Sequence, residues 1–130
     1  MASWNDLQAR LRRDFKLDTD GVDELALTLK RQEAGTERSQ RVMLRRYPAW
    51  GREMVEVRSA FGEVGEYDTA LLLAENLNLP LGAIATHGRY LVLVQRVCID
   101  DTTLDGMVFL MTRMSLLADS LEAKGGRDRF

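Results

Sequence analysis

Residues 38–61 read RSQRVMLRRYPAWGREMVEVRSAF, and the alternation on either side of the central Pro-Ala-Trp-Gly sets the architecture of the chain. In RVMLR, Val42 and Leu44 fall on one side of an extended backbone and Arg41, Met43 and Arg45 on the other, because successive side chains of a strand point to opposite faces. MVEVR repeats the pattern, with Val55 and Val57 inward and Met54, Glu56 and Arg58 outward. Tyr47 to Gly51 supplies turn residues between them. Two runs with one period and a short join predict an antiparallel hairpin with one buried face.

On the N-terminal side, Leu25, Leu27 and Leu29 alternate with Ala26, Thr28 and Lys30, and EAGTERS around Gly35 connects this earlier strand to the hairpin. Before it, Trp4, Leu7, Leu11 and Phe15 recur at spacings of three and four, which lines them along one face of a helix from Ser3 to Phe15. Ser3 and Asp6 form a capping-box-like start. LDTDG at 17–21 is rich in turn formers and is expected to be a turn.

On the C-terminal side, YDTALLLAENL predicts a helix over Tyr67–Leu77 that Asn78-Leu79-Pro80 stops. LGAIAT, a turn at His87-Gly88 and YLVLVQRVCI form a second hairpin; its last strand is apolar on both faces over Leu91–Val94, which suits the inside of a sheet or an interface. Asp101, Thr102 and Thr103 offer capping oxygens, with Asp105 placed to complete a box from Thr102, and a long helix runs to Lys124, where Gly125-Gly126 ends it. The expected order is α-β-β-β-α-β-β-α, an α+β fold with a five-stranded antiparallel sheet and three helices.

The 130 residues suit one domain, spanning 1–124, with a flexible tail at 125–130. Hydrophobic residues at 45% and charged residues at 29% exclude a disordered or fibrous chain. A net charge of -2 gives no overall attraction to nucleic acid or anionic membrane. One cysteine cannot form an internal disulfide, and charges interrupt every apolar stretch of MASWNDLQARLRRDF, so the expected setting is the cytoplasm, with no membrane span.

Residues for catalysis are sparse. The single histidine, His87, sits beside Gly88 in a turn, and Cys98 lies on an apolar strand without a second cysteine to make a zinc site. Asp18, Asp20, Asp23 and Glu24 resemble the start of a calcium loop, but counting from Asp18 puts Asp23 where such a loop needs glycine and Leu29 where it needs glutamate. Asp100, Asp101 and Asp105 are explained by capping a helix start. No glycine-rich phosphate loop follows a strand. The expectation is therefore no catalytic residue, no metal and no cofactor.

Two features suit protein partners. Between Gly106 and Ala118 the only charged residue is Arg113, and the middle helix carries Leu71, Leu72, Leu73 and Leu77. A helix apolar nearly all round is covered either by its own domain or by a second subunit. A homodimer through Leu72, Leu73, Leu77, Phe109 and Leu110 is the favoured expectation. The second feature is the outer face of the strands, where Arg41, Arg45, Arg52 and Arg58 surround Met43 and Met54. From Arg38 to Arg58 there are six arginines against Glu53 and Glu56. Flexible methionine and forked arginine suit an acidic, amphipathic segment of a partner protein, while the competing reading is an ordinary solvated face whose charges deter edge pairing. Nucleic acid is disfavoured because the stacking aromatics are missing from this face, with Tyr47 and Trp50 only at its rim.

The strand end Ser59-Ala60-Phe61-Gly62, the Leu72-Leu73 to Asn76 helix leading into Gly82, and Ala118-Asp119-Ser120-Leu121-Glu122 in the last helix give a pattern that resembles the YbjN family. It is more distantly similar to the class I type III secretion chaperones such as the Tir chaperone group. With Trp4 and the opening helix, the resemblance spans nearly the whole chain. It implies a twisted five-stranded antiparallel sheet with three helices, commonly a homodimer. Chaperone members hold an extended segment of a partner protein without catalysis; YbjN-like members imply a regulatory or stress-response module that docks on a larger protein or RNA.

Overall fold

The computed structural model describes residues 2–124. In chain order it contains α1 (Trp4–Asp14), β1 (Leu17–Asp20), β2 (Glu24–Glu33), β3 (Thr36–Ala49), β4 (Arg52–Glu63), α2 (Thr69–Glu75), β5 (Ala83–His87), β6 (Tyr90–Cys98) and α3 (Leu104–Lys124). Short 3-10 turns follow α2 at Asn76–Asn78 and β6 at Ile99–Asp101. One antiparallel sheet of six strands runs in the order β1-β2-β3-β4-β6-β5. The expected count of five strands is thus corrected to six, while the α+β class and the three α-helices stand.

The extra strand is β1, in the stretch expected to be a turn. Leu17 pairs with Leu27 and Asp20 with Leu25, with an irregularity between Leu17 and Thr19. Turn-forming residues are tolerated there because the strand has only four residues and lies at the sheet edge, where α1 grips it. Gln8 and Arg12 both donate to the Asp20 carboxylate, at 2.7 Å for each closest contact. These bonds, that from Arg12 first, hold the Asp20 carboxyl below its ordinary value.

The β2–β3 and β3–β4 joins are both tighter than expected. Each has two residues with positive φ, Ala34 (52°) with Gly35 (79°) and Trp50 (53°) with Gly51 (70°), the backbone that matches the right-handed twist of its flanking strands. Strand β3 therefore runs through Tyr47 and Pro48 to Ala49, and the turn is Trp50-Gly51 alone. In the last hairpin the turn is Gly88-Arg89, with His87 paired to Tyr90.

Ser3 caps α1 by accepting from the Asp6 amide at 3.1 Å, and Asp68 caps α2 by accepting from Ala70 and Leu71. Helix α2 stops at Glu75, so Leu77 falls in the 3-10 turn. At α3 the cap is Thr103, whose Oγ1 accepts from Gly106 N; Thr102 instead donates to the Ile99 carbonyl and Asp105 pairs with Arg10 at 2.9 Å. The expected helix stop at Gly125-Gly126 and the flexible tail at 125–130 lie outside the described residues.

The core joins Trp4, Leu7 and Leu11 of α1 and Met107, Met111, Met114, Ala118 and Leu121 of α3 to one face of the sheet: Leu25, Leu27, Val42, Leu44, Val55, Val57, Phe61, Leu91 and Leu93. Each leucine, valine, methionine or phenylalanine among them contributes roughly 1.5–3 kcal/mol when withdrawn from water. All three helices contribute to this one side, Leu72 of α2 included. Among the described residues, no helix lies on the opposite face of the sheet.

Candidate functional site

Register turns the uncovered face into rows that run across the strands. One row, in pairing order, is Glu24-Arg45-Glu56-Arg96, a ladder of alternating charge over β2, β3, β4 and β6. At its centre Glu56 is only 4% exposed, and three guanidiniums converge on it: Arg96 at 2.8 Å, Arg58 at 3.6 Å and Arg45 at 3.7 Å. Arginine stems bury the carboxylate while their heads stay at the surface.

On one side of the ladder lies the row Tyr47-Met54-Cys98. Arg45 stacks on Tyr47 with its guanidinium 4.9 Å from the ring centroid. On the other side lies Ala26-Met43-Arg58-Val94-Ala83, followed by the Thr28-Arg41 and Ala60-Val92-Ala85 pairings. Here the face sinks into a basin of about 440 Å³ lined by Arg41, Met43, Arg58, Ala60, His87, Tyr90 and Val92. Arg41 is exposed and forms no ion pair among the described residues. Arg58 shares Glu56 with two other arginines. The basin therefore combines an apolar floor with positive charge that the face does not neutralise.

The residues expected to bind a partner are all on this face, but divided. Arg41, Met43 and Arg58 line the basin. Arg45 belongs to the ladder, and Met54 lies beyond it. Arg52 sits at the far end of β4, tied to Asp101 at 3.0 Å; that hydrogen bond foremost raises its pKa. Arg96, Tyr90, Val92 and Val94 complete the face and were not anticipated, because the all-apolar run of β6 hid which parity faced outward. Their side of the sheet follows only from the register of β6 on β4, which sets Arg96 opposite Glu56 and Val94 opposite Arg58.

The five residues expected at a dimer interface also separate. Leu72 is 8% exposed and belongs to the core, and Leu110 packs against the core. Leu73 (60%), Leu77 (91%) and Phe109 (57%) are exposed. Helix α3 buries Met107, Met111, Met114 and Ala118 within the chain itself and half-buries Val108, Leu110 and Leu117, so its all-round apolar character is met mostly inside one domain.

The expected turn at His87-Gly88 is displaced by one residue, and His87 is exposed at the basin rim. Cys98 is half-buried on the outer face and not in the core. Asp18 accepts from Thr28, Asp20 from Gln8 and Arg12, and Asp23 pairs with Arg46, three carboxylates engaged in separate directions. No group of three metal-ligating side chains is found among the described residues, and no helix there is long and apolar enough to cross a membrane.

A second charged cluster lies on the helix side. Asp119 and Glu122 of α3 are 2% and 1% exposed. Arg31 and Arg38, from the ends of β2 and β3, both reach Asp119, Arg38 at 2.8 Å. Burial pushes the Asp119 carboxyl up, but hydrogen bonds from Arg38 and Arg31 outweigh it and hold the group below its ordinary value. Gln40, 3% exposed, donates to Ser59 Oγ and the Ala60 carbonyl nearby.

No family model matches this chain, and neither a curated protein nor a solved structure shows a significant match to it.

Proposed function

We propose that this chain is a non-catalytic, chaperone-like adaptor whose uncovered sheet face holds a segment of a partner protein. The observation that carries the reading is the basin beside Glu56: Arg41 and Arg58 bring positive charge to an apolar floor of Met43, Ala60 and Val92. Such a floor takes leucine- or methionine-sized side chains, with the methionine adapting its shape. Arginine forks onto a carboxylate of the same segment, an interaction worth more than an exposed point-charge pair. The segment is therefore acidic and amphipathic.

The test is fluorescence anisotropy with a labelled synthetic peptide of alternating glutamate and leucine, its glutamine-for-glutamate counterpart, and a mixed-sequence RNA oligonucleotide. The wild type should bind the first at least ~10-fold more tightly than the second. Arg41→Glu combined with Met43→Gln should lose that preference while retaining the wild-type circular dichroism spectrum. Indifference to both peptides would sink the reading. Tighter binding of the RNA, with affinity falling steeply in salt, would favour a regulatory module that acts on RNA.

A further inference from the structure

On the helix side of the sheet, a cleft of about 210 Å³ opens between α3 and the outer ends of β2 and β3. Leu29 of β2 and Leu116 of α3 give it apolar walls, the second still 36% exposed, and Gln40 of β3, paired with Leu29 across the strands, forms its buried floor.

At Gln40 the hydrogen bonding does not close. The side chain is 3% exposed, and its amide nitrogen donates to Ser59 Oγ at 2.8 Å and to the Ala60 carbonyl at 2.6 Å, both on β4. The Ala60 carbonyl also fixes which end of the amide is which, since an oxygen set there would face another acceptor. Nitrogen and oxygen diverge from one planar carbon, so the oxygen turns from β4 toward β2, the side on which the cleft lies. No described group donates to that oxygen. The cleft's own hydroxyls are spent: Ser115 donates to the Thr112 carbonyl at 2.7 Å and Thr112 to the Val108 carbonyl at 2.9 Å. Arg31 and Arg38 turn to Asp119. A buried acceptor without a donor is costly, and the cleft leads to it.

These features select an occupant. The orphan oxygen calls for an O–H or N–H donor, and Leu29 and Leu116 for an apolar body. Lys30, Arg31 and Arg38 are matched in number by Glu33, Asp119 and Glu122, so no charge is left over to draw an ion. A cavity of roughly 150 Å³ admits benzene, and this one has room for a ring with a small substituent. We propose that the cleft is a binding site for a small neutral molecule of phenol-like chemistry, its donor on Gln40 Oε1 and its ring against Leu29 and Leu116. The site lies on the opposite face from the Arg41–Arg58 basin and stands independently of the adaptor reading.

Titration of phenol, anisole and benzoate into isotope-labelled protein, followed by NMR, tests it. Phenol has the donor, anisole lacks it, and benzoate adds a charge. Phenol should shift the amides of Leu29, Gln40 and Leu116 with a Kd at or below about 5 mM, and the other two should bind at least ~10-fold more weakly. Gln40→Met, which keeps the length and removes the acceptor, should bring phenol to the level of anisole. Leu116→Ala, at a position folding tolerates because it is partly exposed, should weaken phenol at least ~3-fold, and Leu77→Ser should leave it unchanged. If Gln40→Met does not fold, the anisole comparison and Leu116→Ala still decide. Equal binding of phenol and anisole, no shifts at these amides, or phenol binding unaltered by Leu116→Ala overturns the proposal. Phenol should leave the affinity for the glutamate–leucine peptide unchanged, so failure of either reading is seen separately.

Discussion

Arg96 donates a 2.8 Å hydrogen bond to Oε1 of Glu56, and the two residues face each other across β6 and β4 on the side of the sheet opposite the described helices. A nearly buried carboxylate shared by three arginines is costly to replace, because its removal leaves their charges facing one another. Glu56→Gln should lower stability by about 1–3 kcal/mol in urea unfolding. The same variant should bind the glutamate–leucine peptide more tightly and with a steeper salt dependence.

The Asp119 cluster gives a pH signature. Its carboxyl is held below the ordinary value in the folded chain, so its contribution is fully present above the unfolded carboxylate pKa and disappears as pH falls through the lower folded value. Arg38→Gln should cost about 3 kcal/mol at neutral pH. It should also flatten the loss of stability below about pH 4, as followed by thermal unfolding across a pH series.

Gly62 follows an irregularity in the β4–β6 pairing, and a Cβ there would lie 2.6 Å from Cε1 of Tyr67. The Tyr67 ring is fixed by an edge-on contact with Phe61 at 5.7 Å and by donation to the Leu121 carbonyl at 2.8 Å, so it cannot simply retreat. Gly62→Ala should destabilise by about 1–3 kcal/mol. Pairing it with Tyr67→Leu, which removes the clash, should make the combined loss smaller than the sum of the separate losses.

Trp50→Asn should raise the thermal stability of the dilute chain by about 1 kcal/mol, because asparagine relieves the left-handed strain. Differential scanning calorimetry on the wild type and the variant checks this.

The elements with strong period were legible. Alternation in β2, β3 and β4 and the three-four spacing of Trp4, Leu7 and Leu11 reflect burial on one side, which composition records directly. Strand β1 was not, because Leu17-Asp18-Thr19-Asp20 has the residues of a turn and becomes a strand through β2 and the grip of α1. Of the candidate face, the parity of Arg41, Met43 and Arg58 was readable, but their separation from Arg52 and Met54 by a charge ladder was not. That ladder depends on cross-strand register, which joins Glu56 to Arg96 over forty positions. The Asp119 cluster was hidden for a similar reason: an aspartate in a helix looks solvated until the ends of β2 and β3 close over it.

Strand β5 is made before β6 yet lies outside it in the sheet, hydrogen-bonded to β6 alone. As the chain leaves the ribosome, β1 to β4 can assemble by successive hairpins, but β5 has no partner until β6 follows it, and the hairpin they form joins the sheet only when β6 pairs with β4. Its outward amide at Ile84 is then closed by the Asn76 side chain at 2.6 Å. The last hairpin is thus a latch set after the rest, and in pulse-labelled hydrogen exchange during refolding the β5 amides should acquire protection after those of β3 and β4.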